Sequence, residues 1–116
     1  IHPAMVAAAH QTSAKYPEGV SEFDTCSLTP VFEEGCVAPF VEESIVGYAL
    51  QLEEIVPIRQ NDTFLVVGKL LFARFPENLL LPDGFLDLEQ AGSIASLGLD
   101  AYYSCSQIGR FPYARP

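Results

Sequence analysis

The chain has 116 residues, and 49% of them are hydrophobic, so it is long enough for one globular domain and too apolar for a disordered segment. Fifteen acidic residues against six basic ones give a formal charge of −9. This charge excludes nucleic acid as an expected partner, because nucleic-acid binding depends on clustered Lys and Arg. No apolar run approaches the ~20 residues that cross a bilayer, and no signal sequence opens the chain, so we expect a cytoplasmic protein without a membrane partner.

The three cysteines, Cys26, Cys36 and Cys105, are odd in number and lack the CxxC spacing of zinc sites. We expect reduced, partly buried thiols, because free cysteine behaves as a small apolar residue. The chain starts at Ile1 instead of at a methionine, which favours a fragment or a processed product.

The first predicted element is a helix over residues 3–15, which are rich in alanine and open with Pro3. It ends before Tyr16 and the proline that follows. His2 and His10 lie eight residues apart, so they do not form the i, i+4 pair of a helical metal site. His10 is assigned a structural role, as is Cys105.

Short elements follow. Ser21 is a candidate N-cap of a helix through Cys26, and residues 28–31 and 36–39 are expected to be extended because each contains a proline that keeps the preceding residue out of the helical region. The acidic pairs at 33–34 and 42–43 are interpreted as solvated loop residues.

The centre of the chain predicts a long antiparallel hairpin. Residues 62–75 are apolar at both parities of a period-2 pattern, which indicates a strand covered on both faces. Residues 44–56 are apolar mainly at even positions, as in a half-buried strand, and residues 57–62 supply turn chemistry between them. Such a hairpin suits a β-barrel.

Beyond the hairpin, residues 82–84 form a predicted turn, Asp87 is a candidate cap for a helix through about Ser96, and residues 101–112 are expected to be extended. No phosphate-binding loop, nucleophile elbow or metal cluster is present in the sequence. The pattern therefore predicts one acidic domain, mainly β with a few helices, without indicating a function.

Several segments, taken in order, resemble the flavin reductase-like family, whose fold is the FMN-binding split barrel. They are AKYPEGVSEF (14–23), LTP (28–30), AP (38–39), VEES (41–44), TFLVVGK (63–69), LLLPDG (79–84), LGLDAYY (97–103) and RP (115–116). The resemblance implies an antiparallel split β-barrel, with residues 1–116 as a single domain that corresponds to the C-terminal half and lacks the N-terminal strands.

The same resemblance implies a homodimer that holds FMN non-covalently at its interface, with NADH or NADPH as a possible co-substrate. No catalytic side chain is expected, because the flavin carries the hydride chemistry. Gly98, Tyr102 and Tyr103 match a family segment near the flavin, and Arg110 is a candidate for the phosphate. The alternatives are an ordinary packing role for the tyrosines and a solvated tail for Arg110.

Two other interpretations stay open. A non-enzymatic oligomeric remnant would keep the split-barrel strands and no longer bind flavin. One piece of a two-chain flavoprotein would need a separate N-terminal chain to complete the barrel, because a barrel that lacks strands exposes unpaired edges.

Overall fold

A computed structural model describes all of residues 1–116. The chain is mainly strand with a few short helices, as the sequence predicts. A 3-10 helix (Pro3–Met5) is followed by α1 (Val6–Gln11), α2 (Glu22–Thr25), β1 (Pro30–Val31), β2 (Phe40–Val41), β3 (Gly47–Ile58), β4 (Thr63–Arg74), a 3-10 helix (Glu77–Leu79), β5 (Ile94–Leu97) and β6 (Ala101–Ser104). The strands form three separate antiparallel pairs, β1–β2, β3–β4 and β5–β6, so this chain does not close a barrel.

The predicted hairpin is the longest element, and its register runs from Gly47 opposite Arg74 to Ile58 opposite Thr63. Two β-bulges interrupt the pairing. Leu71 is an extra residue on β4 and Glu53 is an extra residue on β3. Because each strand carries one unpaired residue, the two strands remain equal in length.

The bulges decide which side chains share a face. Opposed residues lie on the same face and successive residues alternate between faces. The register therefore places only apolar residues and one glycine on one side, which we call the apolar face: Tyr48, Leu50, Leu52, Ile55, Pro57, Phe64, Val66, Gly68, Leu70 and Ala73. The predicted even-position pattern is thus wrong beyond Leu52, because the bulge at Glu53 brings Ile55 to this face and moves Val56 to the other.

The opposite face is covered at the end of the hairpin nearest its termini. Phe40 of β2 is 7% exposed and lies against Gly47, where an added Cβ would come within 2.7 Å of the phenyl ring. Ala49 is 2% exposed, and the Phe72 ring centroid lies 5.9 Å from that of Phe40. We call these residues, with Arg74, the base cluster.

Arg74 closes the base cluster. Its guanidinium lies 5.1 Å from the Phe40 ring centroid, pairs with Glu33 at 3.1 Å and with Glu42 at 3.8 Å, and donates to the Val41 carbonyl at 3.3 Å. Two of the acidic residues that the sequence assigns to solvated loops are therefore partners of one arginine. They tie the loop before β2 and the segment after it to the end of β4.

Burial is sparse elsewhere. The accessible surface is 9313 Å², whereas a compact protein of this mass exposes about 6,200 Å². The radius of gyration is 16.7 Å, against about 13 Å for a compact chain of this length. The buried residues are Met5, Cys26, Phe40, Ala49, Leu79 and Ala91.

The apolar face has no cover within the chain. Its large side chains, from Ile55 at 51% to Phe64 at 65%, are all more than half exposed. The sequence predicts a strand covered on both faces, and the chain by itself does not supply that cover.

The predicted helix from Asp87 to Ser96 is wrong. The Asp87 carboxylate accepts a hydrogen bond from the Gln90 backbone at 2.8 Å, as a helix cap would, but only one turn forms. Gly92 then takes a φ of +65° and the chain enters β5. Pairing of β5 with β6 outweighs the local helix signal.

Of the two early helices, the first is shorter than predicted and the second is in the predicted place. The first ends at Gln11 instead of near residue 15. The second, Glu22–Thr25, lies where the sequence places it, but the Ser21 side chain makes no capping hydrogen bond. No helix in the structure is long and apolar enough to cross a membrane.

Candidate functional site

The β5–β6 hairpin carries three of the four predicted site residues. Gly98 begins its turn with a φ of +77°, a left-handed conformation that favours glycine. The register places Tyr102 opposite Ser96 and Tyr103 opposite Ala95. Because the side chains of neighbouring strand residues point to opposite faces, only one of the two tyrosine rings can lie against a given planar ligand.

Tyr102 and Tyr103 border a shallow cleft, which we call the Tyr102 cleft. Its volume is about 130 Å³. The lining residues are Pro3, Val6, Ile94, Tyr102, Tyr103 and Ser104. Small-molecule sites usually enclose about 300 to 1,000 Å³, so this chain contributes one wall of such a site and does not enclose a ligand.

The first helical segment forms the other side of the cleft. Pro3, Val6 and His10 are spaced by three and four residues, so they lie along one helical face. The His10 Nδ1 atom lies 2.9 Å from the Tyr102 hydroxyl oxygen. The two rings meet edge to face, with centroids 5.7 Å apart and planes at 88°. The sequence assigns His10 a structural role and does not indicate this contact.

Arg110 occupies a different place. It does not line the Tyr102 cleft. Its guanidinium forms an ion pair with Asp83 and lies 4.0 Å from the Phe85 ring centroid. The hydrogen bond from Arg110 is the main cause that lowers the pKa of the Asp83 carboxyl, and the Phe85 backbone N–H adds to it. The phosphate role of Arg110 stays a prediction, with a carboxylate as its present partner.

A second cleft adjoins the first at Ile94 and has a volume of about 320 Å³. Its residues are Phe85, Leu86, Leu88, Glu89, Ser93, Ile94, Cys105, Ser106 and Gln107. The Glu89 carboxylate accepts a hydrogen bond from the Gln107 backbone at 2.8 Å, which holds the chain after β6 along this cleft. Neither cleft is lined by a lysine or an arginine.

The side chains that line the Tyr102 cleft suit a planar aromatic ligand better than a charged one. Aromatic rings and the apolar surface of Pro3 and Val6 can contact the face or edge of an isoalloxazine ring. A phosphate needs backbone amides or free guanidinium groups, and the cleft offers no basic side chain. The residues present therefore fit the ring of FMN and leave its phosphate to other groups.

No set of three or more His, Cys, Asp or Glu side chains is placed to hold a metal ion. The three cysteines are free thiols, with Cys26 buried, Cys36 partly buried and Cys105 exposed. Cys105 is thus more exposed than the sequence interpretation expected.

Comparison with known proteins points to one group. No family model and no curated protein sequence matches the chain. Among solved structures, a protein from Shewanella frigidimarina NCIMB 400 assigned as a flavin reductase with a split-barrel domain is 37% identical, with a TM-score of 0.91. The match covers 98% of this chain and 58% of that one.

Two further structures share the fold. Flavoredoxin of Desulfovibrio vulgaris (Miyazaki F) is 22% identical with a TM-score of 0.77, and covers 97% of this chain and 59% of its own. Nitrilotriacetate monooxygenase component B from Bacillus cereus is 24% identical with a TM-score of 0.78, and the match covers 95% of this chain and 56% of that one. The chain thus spans less than two thirds of each structure, and the resemblance to split-barrel flavin reductases predicted from its sequence is confirmed over that part.

Proposed function

We propose that residues 1–116 are the C-terminal portion of a flavin reductase-like split barrel, and that the protein they form binds FMN non-covalently in the cytoplasm. Its activity would be hydride or electron transfer of the NAD(P)H:flavin oxidoreductase type. The observation that carries this proposal is the match over 98% of the chain, at 37% identity, to a protein assigned as a flavin reductase.

Within this proposal, the ring of Tyr102 contacts the isoalloxazine, Tyr103 adds to the wall of the same cleft from the other face of the strand, and Gly98 lets the turn approach the ligand closely. Bound FMN supplies the redox chemistry, and the residues of this chain bind the ring, orient it and exclude water. Arg110 would meet the phosphate either in exchange for Asp83 or through the guanidinium N–H groups that Asp83 leaves free, since one of its nitrogens donates to the Asp83 carboxylate.

We also propose that further polypeptide completes the site. The surface exposed beyond that of a compact protein is roughly 3,000 Å², several times the ~800 Å² per partner of a standard interface. N-terminal strands, in the same polypeptide or in a separate chain, would cover part of it, and a second copy in a homodimer would cover the rest. The apolar face, which carries no charged side chain, favours this proposal, because an apolar surface of this size exposed to water promotes aggregation.

A second candidate function is an oligomeric remnant that assembles without flavin. Two observations favour it. The Tyr102 cleft is small, and the predicted phosphate ligand Arg110 is already paired with Asp83.

The visible absorbance spectrum and intact mass of the purified 116-residue chain separate these candidates. A flavin band, or stoichiometric uptake of added FMN, supports the flavoprotein, and bleaching by NADH or NADPH supports the reductase activity. Absence of a flavin band, together with no uptake of FMN, would overturn the flavoprotein proposal for this chain. An additional mass that copurifies with it would identify a two-chain protein.

A further inference from the structure

His10 makes the most specific polar contact at the Tyr102 cleft, and neither its sequence context nor the resemblance assigns it a role there. The contact joins residues 92 positions apart, between the end of α1 and the last strand. It combines a 2.9 Å hydrogen bond with an edge-to-face ring arrangement. One side chain therefore contacts both the hydroxyl and the ring of Tyr102.

The two contacts act on different degrees of freedom of Tyr102. A tyrosine ring turns about two side-chain torsions, and a partly exposed ring samples several orientations. An edge-to-face neighbour limits rotation of the ring plane, and a hydrogen bond at the hydroxyl fixes the far end of the side chain. Together they hold the ring in one orientation beside Pro3 and Val6.

We infer that His10 is a positioning residue, which fixes the ring of Tyr102 at the surface where a planar aromatic ligand binds. The inference rests on the proposed function, in that the ligand is the isoalloxazine of FMN. His10 does not line the cleft itself, so it acts on the ligand through Tyr102. A ring held in advance loses less conformational freedom when the ligand binds, which strengthens binding.

The first helical segment connects His10 to the wall of the cleft. Pro3 and Val6 line the cleft and His10 follows on the same helical face, so one segment supplies both the apolar wall and the polar support. The segment is attached to β5 where the Ile94 backbone N–H donates to the Ile1 carbonyl at 3.3 Å. Movement of the helix would therefore move the wall and Tyr102 together.

The test uses the purified protein, together with any chain that copurifies with it, and FMN as the probe. His10→Phe keeps an aromatic edge and removes the hydrogen bond, and His10→Gln keeps hydrogen-bonding capacity. We expect FMN binding to weaken about three- to tenfold in His10→Phe, with a shifted flavin absorbance or circular dichroism band, and to recover partly in His10→Gln. Tyr102→Phe added to His10→Phe should cause little further loss, because both changes remove the same bond.

A ligand-free measurement checks the contact itself. Tyr102→Phe should shift the imidazole nitrogen resonances of His10, whereas Tyr113→Phe, a matched change at a side chain that is 88% exposed, should not. Unchanged His10 resonances in Tyr102→Phe would overturn the inference.

The outcomes also separate this inference from the proposed function. If the wild-type chain binds FMN and His10→Phe changes neither affinity nor spectrum, the positioning role is wrong and the flavoprotein stands. If the wild-type chain takes up no FMN, the proposed function fails for this chain, and the ligand role of His10 fails with it.

Discussion

The two faces of the β3–β4 hairpin differ in how much of their surface the rest of the chain buries. On one face, Phe40 and Arg74 cover the strands at the base cluster, and Ala49 is 2% exposed. On the apolar face, the side chains are as hydrophobic but more than half exposed. Residues close to the strands in sequence bury the side chains of the base cluster. The apolar face can be buried only by a surface from outside this chain.

The largest effect is expected from Phe40→Ala in the base cluster. Removing a buried phenyl ring costs about 3 to 5 kcal/mol of unfolding free energy, a large share of the roughly 5 to 15 kcal/mol that stabilises a domain. The matched change Phe64→Ala, at a side chain that is 65% exposed, should cost under about 1 kcal/mol in the monomer. Urea unfolding of both variants measures the difference, and equal losses would show that the two faces are not distinct.

A charge on the apolar face should act on association more than on folding. Leu52→Lys would place an ammonium group in any interface formed there, so we expect self-association to weaken at least about tenfold. Gln51→Lys adds the same charge to the adjacent residue, which points to the opposite face, and should change association much less. Sedimentation velocity over a concentration series measures both variants. Equal association constants for the wild type and Leu52→Lys would contradict the assembly that we propose.

The smallest expected effect is a loss of folding stability at low pH through protonation of Glu43. The Glu43 carboxylate accepts hydrogen bonds from the Thr29 backbone N–H at 3.1 Å and from its hydroxyl at 2.8 Å, and the backbone bond is the main cause that lowers its pKa. The folded pKa lies below the unfolded one, so this stabilisation is present above the unfolded value and is lost as pH falls through the folded value. Thermal melts should therefore show stability declining below about pH 4.

Glu43→Gln should flatten part of that decline, whereas Glu54→Gln, on the hairpin away from Thr29, should leave it unchanged. A decline that is identical in all three proteins would exclude Glu43 as its source. The comparison separates the contribution of Glu43 from that of Asp83, whose pKa is also lowered, chiefly by the hydrogen bond from Arg110.

Sequence patterns predict the hairpin well because its signals are local. Apolar residues at both parities define β4, and the turn signals lie between the two strands, where Asp62 takes a φ of +57°. The bulge at Glu53 has no comparable signal, since it depends on which residues of β4 oppose those of β3. The helix predicted after Asp87 failed for the same reason, because the partner of β5 lies beyond the next turn.

Three of the four residues that the sequence assigns to the site lie together, and their role towards flavin stays a prediction. The family resemblance indicated Gly98, Tyr102 and Tyr103, which lie on one hairpin. His10 was missed because its partner is 92 residues away, although its spacing from Pro3 and Val6 would have placed it on the same helical face. The ion pair between Arg110 and Asp83 was not predicted either, because the sequence does not indicate which loop a basic residue in the C-terminal segment contacts.

The two bulges have a consequence for how this hairpin tolerates insertions and deletions. Leu71 and Glu53 are offsets of one residue on opposite strands, so they cancel and the turn closes as if neither existed. Deleting either residue alone would close its bulge and leave the pairs on both sides of it in the same register, because neither residue has a partner on the other strand. Deleting a paired residue would instead force a slip of one position, which turns side chains to the other face, so Leu71 and Glu53 are the positions at which these strands can best lose a residue.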